Sequence, residues 1–205
     1  MAPTHSGHGD RSVFRTERDR FLAGRFGMVL FLGTVGMLFG ATILVILAIR
    51  LDGSAWPRHL PAMPVAVWVS TGFLLLSSVS MQWGVVAAHR EAVNQVRTAL
   101  VITLVLGLAF LASQTIAWIE WNEAMQGLVD RDEAAGLAVS GFYVMTGVHA
   151  AHVLGGLVPL GIITVLVVVA AWGPDRRRGI HYTAMYWHFL DLVWVLLVVT
   201  LVLVL

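Results

Sequence analysis

Long apolar stretches dominate the chain, and of the five described below only the last contains a charged residue, Asp191. A helix needs about 20 such residues, at about 1.5 Å of rise each, to cross the hydrocarbon core of a bilayer. Five stretches meet this requirement: residues 26–49, 65–88, 98–119, 136–172 and 180–205. The pattern therefore predicts an all-α fold, a five-helix transmembrane bundle over residues 25–205, preceded by a polar N-terminal tail over residues 1–24.

The fourth stretch is nearly twice as long as a span requires. No charged turn divides it, and each half would be too short to cross the bilayer alone. We therefore expect one long helix that is tilted or extends beyond the bilayer. Gly155, Gly156 and Pro159 allow a bend in it, and together with Gly147 the two glycines predict close packing against a neighbouring helix.

The distribution of arginine predicts the orientation of the chain. All thirteen basic residues are arginines. Ten of them lie in or beside the tail, in the second-to-third loop and in the fourth-to-fifth loop, which share one side of the membrane. Because positive charge accumulates in cytoplasmic loops, we expect the N-terminus in the cytoplasm and the C-terminus outside.

Composition excludes several classes of function. Only 12% of the residues are charged, against about 25% in a soluble domain. Cysteine is absent, which excludes disulfides, thiolate catalysis and metal sites built on cysteine. The net charge of +1 argues against a nucleic-acid partner. No cleavable signal peptide is expected, since the first apolar stretch is too long for one.

Four tryptophans fall close to the predicted span ends: Trp83, Trp118, Trp121 and Trp187. Tryptophan is enriched at membrane interfaces, where its apolar ring and its polar N–H group can both be accommodated. We therefore interpret these four residues as interfacial anchors.

A set of polar side chains falls inside the predicted spans, where the bilayer makes polar groups costly. The set comprises His149, His152, His188, Asp191, Thr146 and Gln114. The ionisable members form two pairs with i, i+3 spacing, so each pair lies on one face of its helix. We interpret the set as a structural polar core whose members bond across helix interfaces.

Two alternatives remain open for these side chains. Two histidines and a His–Asp pair on a facing helix are a conceivable set of metal ligands, although the Glu-x-x-His pattern of di-iron bundles is absent. A haem held by two histidines would require His149 or His152 to face His188 at a matched depth. Either arrangement would make the chain a free-standing haem or metal membrane protein. The residues themselves assign no catalytic, cofactor or metal site.

Three motifs resemble those of one known family. The fourth span contains FYVMTGVHAAHVLGG (Phe142 to Gly156), which resembles the Phe-x-x-x-Thr-Gly-x-His-x-x-His-x-x-x-Gly signature of haem–copper oxidase subunit III. The fifth span contains YWHFLDLVWVLL (Tyr186 to Leu197), similar to the Tyr-Trp-His-Phe-x-Asp-x-x-Trp signature of that family. The first span opens with RFGMVLF (Arg25 to Phe31), which resembles the family's Arg-x-Gly-Met-x-x-Phe start.

This resemblance implies an accessory, non-redox subunit of a proton-pumping respiratory terminal oxidase in a bacterial plasma membrane. Subunit III of that family packs on subunit I, which reduces oxygen and pumps protons, and it binds phospholipid. The implied partners are therefore subunit I directly, subunit II and the other subunits, and membrane lipids. Haem and copper are expected in the partner subunits, and no catalytic centre is expected in this chain.

The sequence departs from the family pattern at two carboxylates. Val35 and Ala117 occupy the positions at which the family usually has acidic residues. Their absence argues against proton delivery through this subunit and indicates a divergent branch, one serving a quinol oxidase or a nitric oxide reductase. The electron donor is not specified, because its binding site would lie in other subunits.

Overall fold

The computed structural model describes residues 17–52, 62–129, 135–169 and 173–204, and these form five helices without any β-strand in the described ranges. The helices are α1 (Glu17–Asp52), α2 (Val65–His89), α3 (Val93–Val129), α4 (Ala135–Val169) and α5 (Pro174–Val204). Each is long and apolar enough to span a membrane. The predicted five-helix all-α fold is therefore confirmed, while the orientation of its termini stays a prediction.

The helices extend beyond several of the predicted limits. α1 begins at Glu17, so its first turns occupy part of the predicted polar tail, whose residues 1–16 lie outside the described ranges. α3 continues to Val129, because the residues after Ile119 include good helix formers such as Glu, Ala, Met and Gln. The predicted end of the fourth span at residue 172 also lies outside the described ranges.

The prediction of one long fourth helix is confirmed, because α4 runs without interruption over 35 residues with Pro159 in its interior. A proline in a helix lacks the N–H group that would bond to the carbonyl four residues earlier. Neighbouring helices can compensate for that loss in a membrane bundle. The two halves of this stretch therefore belong to a single element.

α5 is the central helix of the bundle. It packs against α1, α2 and α4, and 56% of its most apolar segment is buried, compared with 17% for α1. α2 and α3 form the most extensive helix pair, and α3 also packs against α4. α1 therefore lies at the edge of the bundle, with most of its apolar surface exposed to the surroundings.

The turn between α2 and α3 is tight. Glu91 adopts a φ of 57°, the left-handed conformation that usually favours glycine. The amide of Ala92 donates to the carbonyl of Ala87 at 3.0 Å and the amide of Glu91 to that of Ala88 at 3.4 Å. These two bonds form a Schellman cap, which satisfies carbonyls at the end of α2 and reverses the chain.

Two glycines allow aromatic side chains of α5 to approach its neighbours. A Cβ atom at Gly107 of α3 would lie 2.8 Å from the ring of Trp187. A Cβ atom at Gly156 of α4 would lie 2.9 Å from the ring of Tyr186 and 3.1 Å from Leu190. Real Cβ atoms do not approach other atoms this closely. The predicted close packing of α4 is therefore confirmed at Gly156.

Arginines at one end of the bundle tie the helices together. Arg97 of α3 donates from Nε to the carbonyl of Val167 at 2.9 Å, and Arg176 donates to the carbonyl of Leu166. Cationic side chains stabilise a helix C-terminus by satisfying its last carbonyls. These arginines therefore stabilise the end of α4 as well as contributing to the charge asymmetry between the loops.

We expect Gly156→Ala to destabilise the bundle by about 1–3 kcal/mol, the usual cost of inserting a methyl group into a well-packed interior. Gly161→Ala is the matched control, because it lies on the same helix with open space around its Cβ position. The measurement is thermal unfolding of the purified protein in mild detergent. Equal melting temperatures for the two variants would contradict the close contact at Gly156.

Candidate functional site

The His188–Asp191 pair lies on the side of α5 that faces α2. His188 Nδ1 lies 2.8 Å from Ser78 Oγ on α2 and 3.7 Å from Asp191 Oδ2. The side chain of Asp191 is 7% exposed, whereas that of His188 is 34% exposed. Neither carboxylate oxygen has a hydrogen-bond partner within the described residues. The imidazole of His188 therefore connects the pair to α2.

Serine, histidine and aspartate meet here, but their geometry differs from that of a hydrolytic triad. In a triad the carboxylate orients one ring nitrogen while the other nitrogen takes the serine proton. Here Ser78 and Asp191 both approach Nδ1 of His188. Nε2 is buried and has no partner in the described ranges. The arrangement therefore bridges two helices and does not activate a nucleophile.

His149 lies in an aromatic environment that involves three other helices. Its ring stacks on Trp194 of α5, with centroids 5.1 Å apart, and meets the edges of Phe39 on α1 and Phe110 on α3. The residue is only 1% exposed. Neither ring nitrogen has a hydrogen-bond partner in the part of the chain that the structure describes.

Gln114 and Thr146 lie beside His149. All three residues line one small cavity of about 50 Å³ between α3 and α4. The amide oxygen of Gln114 accepts a long hydrogen bond of 3.4 Å from Ser70 on α2, and the hydroxyl of Thr146 donates to the carbonyl of Phe142 at 2.8 Å. Three members of the predicted polar core therefore share one location.

One ring nitrogen of His152 is hydrogen-bonded within α4. Its Nδ1 lies 2.7 Å from the carbonyl of Val148, and its ring meets the edge of Phe39. The backbone carbonyl of His152 accepts a hydrogen bond of 3.0 Å from the hydroxyl of Tyr186 on α5. The residue therefore contributes to the contact between α4 and α5 through its backbone.

The structure separates the predicted polar core into distinct places. His188 bonds to α2, while His149 lies against Trp194 and the cavity beside α3. The described residues contain no group of three or more His, Cys, Asp or Glu side chains placed to hold one metal ion. The metal-ligand set conceived from the two i, i+3 pairs is therefore not assembled within these ranges.

Sequence reasoning missed three hydroxyl side chains of α2 that are hydrogen-bond partners of α5. Thr71 bonds to Trp194 at 3.0 Å, Ser77 to Trp187 at 3.0 Å and Ser78 to His188 at 2.8 Å. The available signal was the recurrence of small hydroxyl residues along an otherwise apolar span. Such residues commonly mark helix interfaces in membranes.

The interfacial interpretation is wrong for two of the four tryptophans. Trp187 is 1% exposed and lies in the centre of α5, and Trp121 is 2% exposed, with its ring 4.0 Å from that of Phe142. Neighbouring helices bury both side chains. A position near the end of a span does not by itself predict such burial. Trp83 remains 41% exposed, which suits an anchor.

The two positions at which the family pattern led us to expect carboxylates lie in the apolar core. Val35 is 6% exposed and Ala117 is 2% exposed, and both belong to the largest buried cluster of apolar side chains. A carboxylate at either position would need a polar partner in the bundle. Because valine and alanine have no polar group, neither position needs a polar partner in this core.

The fold and these contacts define a multi-pass membrane protein in which several polar side chains join neighbouring helices. The model of the family Cytochrome c oxidase subunit III matches residues 23–204. The chain belongs to the cytochrome c oxidase subunit III family, as its three motifs indicated. Members of such a family are parts of a multi-subunit complex.

Curated relatives agree with this assignment. The chain is 31% identical over 179 residues to Cytochrome c oxidase subunit 3 of Corynebacterium diphtheriae, covering 85% of this chain and 84% of that protein. It is 27% identical over 173 residues to the protein of the same name from Thermostichus vulcanus, covering 83% and 82%. It is also 31% identical over 184 residues to the Pan troglodytes protein, covering 86% and 67%.

We expect Ser78→Ala to lower the stability of the bundle by about 1 kcal/mol, because it removes the hydrogen bond between α2 and His188. Thr164→Val is the control, since the buried hydroxyl of Thr164 bonds only within α4, to the carbonyl of Leu160. The readout is again the midpoint of thermal unfolding in mild detergent. A larger loss for Thr164→Val than for Ser78→Ala would argue against the bridging role.

Proposed function

We propose that this chain is the accessory, non-redox subunit III of a haem–copper respiratory terminal oxidase in a bacterial plasma membrane. It packs directly on subunit I and assembles with subunit II and the other subunits. Its role is to stabilise the complex and to support electron transfer to oxygen and proton pumping by subunit I. Haem and copper belong to the partner subunits.

One observation carries this proposal beyond family membership. The ionisable side chains of the last two spans do not converge on a shared reaction site: His188 bonds to α2, His152 bonds within α4, and His149 is enclosed by aromatic rings. Buried polar groups of this kind specify how helices pack. A packing role fits a subunit whose redox chemistry is supplied by its partners.

The proposal places the arginine-rich end of the bundle in the cytoplasm. The start of α1 meets the start of α5 there, through a hydrogen bond of 3.1 Å from Tyr182 to the carbonyl of Phe21. Arg177 pairs with Glu91 of the α2–α3 turn at 2.7 Å. The predominance of arginine at this end supports the orientation, through the rule that cytoplasmic loops are positively charged.

We place a bound phospholipid at this same end. A pocket of about 130 Å³ lies between α1, α2 and α5, and its lining comprises Phe21, Val85, Ala88, His89, Arg177, Arg178, Ile180 and His181. Arg177 Nε is buried and has no hydrogen-bond partner in the described ranges. Guanidinium and imidazole groups suit a lipid phosphate, and the apolar side chains suit the start of an acyl chain.

Asp191→Ala should reduce retention of this chain in the purified complex several-fold without changing its haem content, because the variant loses a buried group beside the α2–α5 contact. Asp191→Asn, which keeps the shape of the side chain, is the matched variant and should retain more of the chain. The ratio of this chain to subunit I after mild-detergent purification is the measurement. Unchanged assembly and turnover in Asp191→Ala would count against the proposal.

The partners recovered in the same purification test the identity of the complex. Recovery of oxidase subunits I and II supports the proposal. Recovery of a nitric oxide reductase catalytic subunit in their place would overturn it. A bound chromophore on the chain purified without any other subunit would equally overturn the assignment of haem and copper to its partners.

Arg177→Gln combined with Arg178→Gln should lower the amount of phospholipid that co-purifies with the complex, because it removes two cations from the pocket. Two controls separate this effect from structural damage. Glu91→Gln breaks only the ion pair with Arg177, and Arg90→Gln removes a charge that does not line the pocket. Mass spectrometry counts the lipids per complex. Equal counts in all four proteins would exclude a lipid at this place.

A further inference from the structure

His149 has an unmet requirement for hydrogen bonding. A neutral imidazole carries one N–H donor and one acceptor nitrogen, whichever tautomer it adopts. Both nitrogens of His149 are buried, and the described part of the chain offers neither of them a partner. The aromatic rings of Phe39, Phe110 and Trp194 surround the imidazole without supplying such a partner. Leaving both groups unpaired within a bilayer is costly.

A second unpaired group lies at the same place. Trp118 lines the cavity beside His149, and its indole Nε1 is also buried without a hydrogen-bond partner in the described ranges. The hydroxyls of Thr115 and Thr146 line the cavity too, and each donates its proton to a carbonyl of its own helix. Each hydroxyl oxygen therefore keeps a lone pair that can accept a hydrogen bond.

The size of the cavity suits water. Its volume is about 50 Å³, and a water molecule needs roughly 10–15 Å³ of such volume together with two to four polar partners. The cavity therefore has room for a small number of waters and the donors and acceptors to hold them. An acyl chain would leave the imidazole and the indole unpaired.

We propose that this cavity is a binding site for ordered water inside the membrane domain. Water there accepts a hydrogen bond from the indole of Trp118 and bonds to the ring of His149, with Thr115, Thr146 and Gln114 as further partners. The site joins α3 and α4 through solvent at a point where these side chains do not hydrogen-bond to one another directly. It is independent of which oxidase subunit the chain packs against.

Solid-state NMR of the complex in lipid bilayers tests the site, with histidine of this chain labelled with ¹⁵N. The resonance of His149 is assigned by its loss in His149→Phe. We expect rapid magnetisation transfer from water protons to the ring nitrogens of His149. His152 is the internal control, because its Nδ1 is already bonded to the carbonyl of Val148.

Filling the cavity supplies the second arm of the test. Ala150→Leu places a larger apolar side chain in the lining and should reduce water transfer to His149 several-fold, while the signal of His152 stays unchanged. Thr115→Leu fills the cavity from α3 and serves if the first variant does not assemble. Absent water transfer in the unaltered protein overturns the proposal. Transfer from lipid methylene protons, or unchanged water transfer in the filled variant, does so as well.

Discussion

The contact between α5 and α2 is the constraint on which the rest of this bundle depends. The hydrocarbon core of a bilayer offers no polar partner, so an indole, an imidazole or a carboxylate within a span needs a partner inside the protein. α5 carries several such groups, and hydroxyl groups of α2 hydrogen-bond to three of them. The tryptophans of α5 also contact α3: Trp194 packs against Phe110, and Gly107 leaves room for the ring of Trp187. The packing of the neighbouring helices therefore depends on α5.

The polar groups that lack a protein partner are as informative as those that have one. Asp191 and His149 are both buried, and His149 lines a cavity together with other polar side chains. Two roles are present within one set of residues. The His188–Asp191 pair lies at a helix contact, whereas His149 borders a site that suits water.

The departures from the family pattern have a physical counterpart in the core. Val35 and Ala117 both belong to one buried cluster of aliphatic and aromatic side chains. Burying a carboxylate costs free energy unless it is paired. Valine and alanine at these two positions avoid that cost, and neither side chain can carry a proton.

The number of helices, the length of α4 and the close packing at Gly156 were predictable from the sequence, because each depends on local composition and spacing. The family followed from three motifs for the same reason. The division of the six polar residues among separate places, the hydroxyl partners on α2 and the burial of Trp121 and Trp187 were not predictable. Those features depend on which helix faces meet, and in a chain that is apolar on nearly every face, hydropathy does not distinguish a face buried by protein from one that contacts lipid. Only the packing of the five helices decides that.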